Sequence, residues 1–120
     1  MAEPAVALFR DAAALAGQDL VDWGPVAEPI GAPVARTRGR LLYRAAGDWP
    51  EAGYWECTPG RWRCAIERDE FCHFLAGRAV YTADDGGEIE IAPGAVALFP
   101  AGWRGECRVV ETLRKVYMIA

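Results

Sequence analysis

Short apolar runs cut by glycine and proline dominate the chain from residue 36 onward. Arg40-Leu41-Leu42-Tyr43-Arg44 predicts a strand over Gly39–Arg44, and Ala46-Gly47-Asp48-Trp49-Pro50 predicts the turn after it. Gly53-Tyr54-Trp55-Glu56-Cys57 predicts a strand over Ala52–Thr58, closed by Pro59-Gly60. Arg61–Ile66, Phe71–Leu75 and Arg78–Thr82 follow as separate strands, with Glu67-Arg68-Asp69 as a polar turn and Gly77 as a break. Asp84-Asp85-Gly86-Gly87 is a hairpin turn; as a calcium loop it lacks the required spacing. Glu88–Ile91 alternates polar and apolar, Pro93-Gly94 turns, and Ala95–Phe99 is a continuous apolar strand. Pro100-Ala101-Gly102 turns again before Arg104–Val110 and Leu113–Ile119. Strands at this spacing, with turn signals between them, predict an all-β sandwich or barrel.

The first third has a different texture. Residues 4–16 are alanine-rich and predict a short helix, with Pro4 at its first position and Gly17 as its stop. A strand over Val6–Phe9 competes with it. Residues 18–34 carry Gly24-Pro25, Pro29, Gly31 and Pro33 and read as an irregular arm, packed on its own domain or on a partner subunit. The chain therefore divides into an arm over 1–34 and one β-domain over 35–120.

Composition narrows the function classes. An apolar fraction of 52% supports a packed core. The net charge of −4 and pI near 5.0 argue against nucleic acid and anionic membrane surfaces, which call for a basic patch. No apolar run approaches the ~18 residues of a membrane-spanning helix, and the N-terminus shows no secretory signal. Cys57, Cys64, Cys72 and Cys107 form no C-x-x-C pair, so they are expected as free thiols in a reducing cytoplasm.

From Trp55 onward the residues resemble a small single-domain cupin of the cupin_3 group (DUF861-type), related to the ureidoglycine aminohydrolase and ethanolamine-utilisation cupins. The stretches that carry the resemblance are Gly53–Trp62, Glu70–Arg78, Phe99–Gly105 and Glu111–Tyr117. It implies an antiparallel double-sheet jelly roll, the cupin β-barrel, with a pocket between the sheets. In the general cupin pattern, Glu70 and Gly77 fit the second half of the first motif, and its two His positions fall on Cys64 and Ile66. Gly94, Pro100 and Gly102 fit the second motif, whose His and Asn positions are Gly105 and Val109. Of the four usual metal ligands only Glu70 remains, so no metal or other cofactor is expected; Cys64 and Glu70 with waters would hold one only weakly.

Glu70 stands at the mouth of an otherwise apolar, cysteine-containing strand. Pointing into the barrel, it needs hydrogen bonds or a cation to offset its desolvation. Arg114, Lys115, Arg104, Arg61 and Arg63 are the candidates, and strand parity does not choose between Arg114 and Lys115. Alternation puts His73, the one histidine, on the opposite face from Glu70, Cys72 and Phe74. The pocket candidates are Glu70, Cys64, Ile66, Cys72, Trp55, Trp62, Gly105, Cys107, Lys115 and Tyr117. Trp103 and Tyr81 read as core or pocket aromatics.

Three functions fit these residues. The first is a binding module that holds a small polar metabolite. The second is an enzyme of nitrogen or ureide metabolism using Glu70 and a basic residue, a substrate class that only the resemblance implies. The third is a structural homodimer whose arms cover a neighbour's sheet edge.

Overall fold

Eight antiparallel strands follow one another along the chain: β1 (Val21–Pro25), β2 (Arg36–Arg44), β3 (Glu51–Cys57), β4 (Gly60–Ala65), β5 (Glu70–Ala83), β6 (Glu88–Ile91), β7 (Val96–Phe99) and β8 (Arg104–Ile119). They are seen in a computed structural model that describes residues 5–16 and 19–120. The main path runs β1-β2-β3-β8-β5-β6, with β4 added on β8 and β7 on β5. This is the expected all-β cupin jelly roll.

Strand β8 organises the barrel. One of its edges serves β4 with Arg104–Val109 and β3 with Leu113–Ile119, while its other edge pairs with β5 from Glu70 to Ala83. A strand that serves three others places its inward side chains at the centre. Leu113, Lys115 and Tyr117 are all buried, and they face the core with Cys57, Trp62, Cys72, Phe74 and Phe99.

The structure corrects the strand count. Phe71–Leu75 and Arg78–Thr82 belong to one strand, β5, and Arg104–Val110 and Leu113–Ile119 to another, β8. Register shifts between Phe74 and Ala79 let the ladder continue past the break expected at Gly77. Gly77 has φ +89°, and a Cβ there would collide with the Thr112 carbonyl. The glycine thus bends the strand instead of ending it.

The N-terminal third also departs from expectation. Within the arm read as irregular, Val21–Pro25 forms β1 and pairs with β2, and Pro29 bridges Trp62. Residues 21–29 of the arm therefore pack on the barrel of the same chain. Trp23 explains the docking, because its ring lies against Gly39, where a Cβ would collide with it. The expected helix over 4–16 is reduced to a 3₁₀ turn at Ala12–Leu15; Pro4 and Gly17 lie outside the described residues. Only Leu15 of that turn is buried, and Val6 and Leu8 are exposed. An isolated segment this short lacks the packing that sustains a helix. The competing strand over Val6–Phe9 is absent as well. Among the described residues no helix is long and apolar enough to cross a membrane.

Candidate functional site

A cavity of about 620 Å³ opens into the barrel. Its aromatic wall comes from Trp55 on β3, Trp62 on β4, Tyr81 on β5 and Phe99 on β7, with Trp23 of β1 at one side. Cys64, Ile66, Leu41 and Ile119 add apolar surface. The polar lining is Glu70, Lys115 and Tyr117, together with Arg44 and Glu51.

Glu70 and Lys115 form the floor. Lys115 Nζ donates to Glu70 Oε2 at 2.6 Å and approaches Cys72 Sγ at 3.4 Å. The same nitrogen lies 4.5 Å from the Trp55 ring centroid, 5.8 Å from Phe74 and 6.0 Å from Tyr117. The Lys115 side chain is 9% exposed and that of Glu70 16%. Burial pulls the ammonium toward its neutral form, but the Glu70 charge and hydrogen bond outweigh it and hold Lys115 above the ordinary lysine value. Register places this base: Lys115 lies opposite Trp55 on one side and Phe74 on the other. Arg114 therefore projects from the outer face, where its Nε donates to Glu56 Oε2 at 2.9 Å. The remaining candidates are engaged elsewhere. Arg61 pairs with Glu106, Arg63 with Asp84, and Arg104 is exposed.

Glu70 Oε2 accepts both contacts, from Lys115 and from the Cys72 thiol at 3.3 Å. Oε1 takes no hydrogen bond from the described residues, and no buried side-chain oxygen or nitrogen among them lacks a partner. Oε1 is thus a solvent-reached acceptor on a cavity-lining residue.

A second polar pair belongs to the same cavity. Glu51 Oε1 accepts from Arg44 Nε at 3.0 Å and from its terminal nitrogen at 2.7 Å, while Glu51 Oε2 accepts from Tyr117 Oη at 2.7 Å. The Arg44 side chain is 48% exposed, so this pair marks the rim. Burial and the Glu51 contact push the Tyr117 phenol up, and it stays protonated as the donor.

Seven of the ten expected pocket residues line the cavity: Glu70, Cys64, Ile66, Trp55, Trp62, Lys115 and Tyr117. The other three are not in its wall. Cys72 and Cys107 are fully buried in the core, and Gly105 pairs with Cys64 on the β4–β8 ladder. Trp103 packs edge-on against Phe99 at 5.4 Å and Tyr81 at 6.1 Å, as core. His73 is exposed on the outer face, as alternation predicts. Sequence reasoning missed Trp23, Leu41, Arg44, Glu51, Ala65, Phe99 and Ile119.

The donor set at the cupin metal position does not fit a metal ion. Ile66 has no ligating atom, and a Cβ at Gly105 would collide with the Thr82 carbonyl and the Trp103 ring. Burial pushes the Cys64 thiol up to about 11, against its thiolate form. The one carboxylate, Glu70, already holds an ammonium. Among the described residues no three His, Cys, Asp or Glu side chains cluster as a ligand set.

Comparison with known proteins agrees with this architecture. Residues 44–117 match the family described as the EutQ-like cupin domain. A protein of unknown function of the DUF861 family from Pseudomonas syringae pv. tomato superposes with a TM-score of 0.76 at 18% identity, over 84% of this chain and 44% of that one. The chain thus spans less than half the length of that relative. The Clostridium difficile EutQ protein gives 0.62 at 16% identity, over 77% of this chain and 75% of that one. A DUF861 family protein from Thermotoga maritima gives 0.55 at 24% identity, over 68% and 99% respectively. These likenesses concern the fold. No curated protein matches the sequence. With the family match covering well over half of its length, the chain belongs to the EutQ-like cupin domain family.

Proposed function

We propose that this protein is a small-molecule-binding cupin, which holds a small polar metabolite in the barrel above the Glu70–Lys115 pair. The observation that carries the reading is Glu70 Oε1, a carboxylate oxygen without a partner among the described residues, at an aromatic-lined cavity of about 620 Å³. An enzyme using Glu70 and Lys115 as acid and base is the second reading. Binding is favoured over it because Lys115 is held protonated and fully engaged, which ill suits a group that must exchange protons near neutral pH. A thermal-shift screen of small acids, amines and ureides tests the proposal. A compound should raise the melting temperature of the wild type and lose its effect in Ile66→Trp, which fills the cavity. A screen without such a compound removes the proposal.

The proposed partner among proteins is a second copy of the chain. Leu98, Phe71 and Met118 lie side by side across β7, β5 and β8, and all three are exposed. Val96, in the next row beside His73, extends this apolar face. Sedimentation of the wild type as a dimer and of Leu98→Glu as a monomer supports this; a monomeric wild type removes it. We place the protein in the cytoplasm, a location that four free cysteines suit.

A further inference from the structure

The atoms that the cavity leaves free define the chemistry of its occupant. On the reading of the cavity as a binding site, we infer that the ligand is a neutral hydrogen-bond donor on a flat apolar body, such as an aryl amide or urea, and that carboxylates and other anions are excluded.

Charge is the first observation. The cavity has two carboxylates and two cations, and each carboxylate is already paired: Glu70 with Lys115 at 2.6 Å and Glu51 with Arg44 at 2.7 Å. An incoming ion would add an unbalanced charge to a site that is electrically closed. The deep cation is also spent. Lys115 directs its protons at Glu70 and Cys72 and lies against the Trp55 ring, so an anion reaching it must displace Glu70. Displaced, Glu70 would remain in the cavity wall as an uncompensated like charge.

Hydrogen-bond polarity is the second observation. Glu70 Oε1 accepts from none of the described residues and is open to a ligand. Tyr117 Oη donates to Glu51, which leaves only its lone pairs for a ligand. The Cys64 thiol, pushed up to about 11 by burial, offers a weak S–H. Glu70 Oε1 selects an N–H or O–H group, and the wall's own donors, the indole N–H groups of Trp55 and Trp62, suit a carbonyl beside it. Aromatic surface is the third observation. Trp55, Trp62, Tyr81 and Phe99 provide ring faces and edges that suit a planar body.

Three probes with the same body test the inference: phenylacetamide, N,N-dimethylphenylacetamide and phenylacetate. Each is titrated against the full chain by NMR, reading the indole N–H signals of Trp55 and Trp62. Phenylacetamide should bind about tenfold or more tightly than either of the others, the difference expected for one hydrogen bond to a carboxylate. In the double variant Glu70→Leu with Lys115→Met, the preference should vanish while the indole shifts persist. If phenylacetate binds as well as the amide, or the dimethylamide matches it, the ligand class is wrong although the cavity still binds. If none of the three shifts the indole signals at its solubility limit, the binding site falls together with the class.

Discussion

Lys115 Nζ lies 2.6 Å from Glu70 Oε2, the carboxylate that stands at the ligand position of the cupin pattern. The chain supplies its own cation there. Both side chains are largely buried, so each depends on the other. Removing one partner leaves an uncompensated charge, whereas removing both restores an apolar wall. Glu70→Leu and Lys115→Met should each cost about 3–5 kcal/mol in urea denaturation, and the double variant should recover most of the loss. Additive losses would show that the two groups are not coupled.

The same position carries a prediction about metals. Purified protein should contain no stoichiometric transition metal by elemental analysis. Introducing Gly105→His should not create a site. It should instead destabilise the barrel, because even a Cβ meets the Thr82 carbonyl and Trp103. One equivalent of tightly held metal in the wild type would contradict this reading.

On the outer face, Glu56 is buried between Arg38 and Arg114, with contacts of 2.7 and 2.9 Å. Burial raises the pKa of its carboxyl, but the two guanidinium hydrogen bonds outweigh this and hold it below the ordinary value of 4.5. A depressed folded value means that the unfolded chain takes up the proton first as pH falls. The contribution is therefore complete well above pH 4.5 and is lost as pH drops through the folded value. Urea midpoints should fall steeply on the acid side of 4.5, and Glu56→Gln should flatten that limb while lowering stability at neutral pH. An unchanged acid limb in Glu56→Gln would remove the role given to this cluster.

Thiol chemistry should distinguish the cavity from the core. Burial pushes Cys64 up to about 11, and Cys57 and Cys72 up to about 12. Of the four cysteines, only Cys64 lines the cavity and is partly exposed. Iodoacetamide should therefore react slowly at neutral pH, and Cys64 first. Its rate should climb about tenfold per pH unit toward pH 11. Peptide mass spectrometry showing Cys57 or Cys72 labelled before Cys64 would contradict the place of Cys64 in the cavity wall.

Much of the barrel was legible because the turns are marked by glycine and proline and the strands by β-branched and aromatic residues. The two long strands were not. Gly77 signals a break, but local sequence does not reveal that Thr112 lies against it and lets the ladder bend through. Local sequence does not choose between Arg114 and Lys115, because both sit among apolar neighbours. The choice is settled by pairing with β3 and β5, a long-range fact. Arg44 and Glu51 offered a local signal, since they flank the Ala46–Pro50 turn and face each other across the hairpin. Trp23 offered less: Val21-Asp22-Trp23 alternates, but the prolines around it masked a strand.

The most direct measurement is a crystal structure of the protein with the strongest compound from the thermal-shift screen. The ligand should lie between Trp55 and Trp62, with an N–H or O–H about 3 Å from Glu70 Oε1 and the Glu70–Lys115 bond intact. A ligand held outside the barrel, or one whose anionic group has taken Lys115 from Glu70, would contradict this placement.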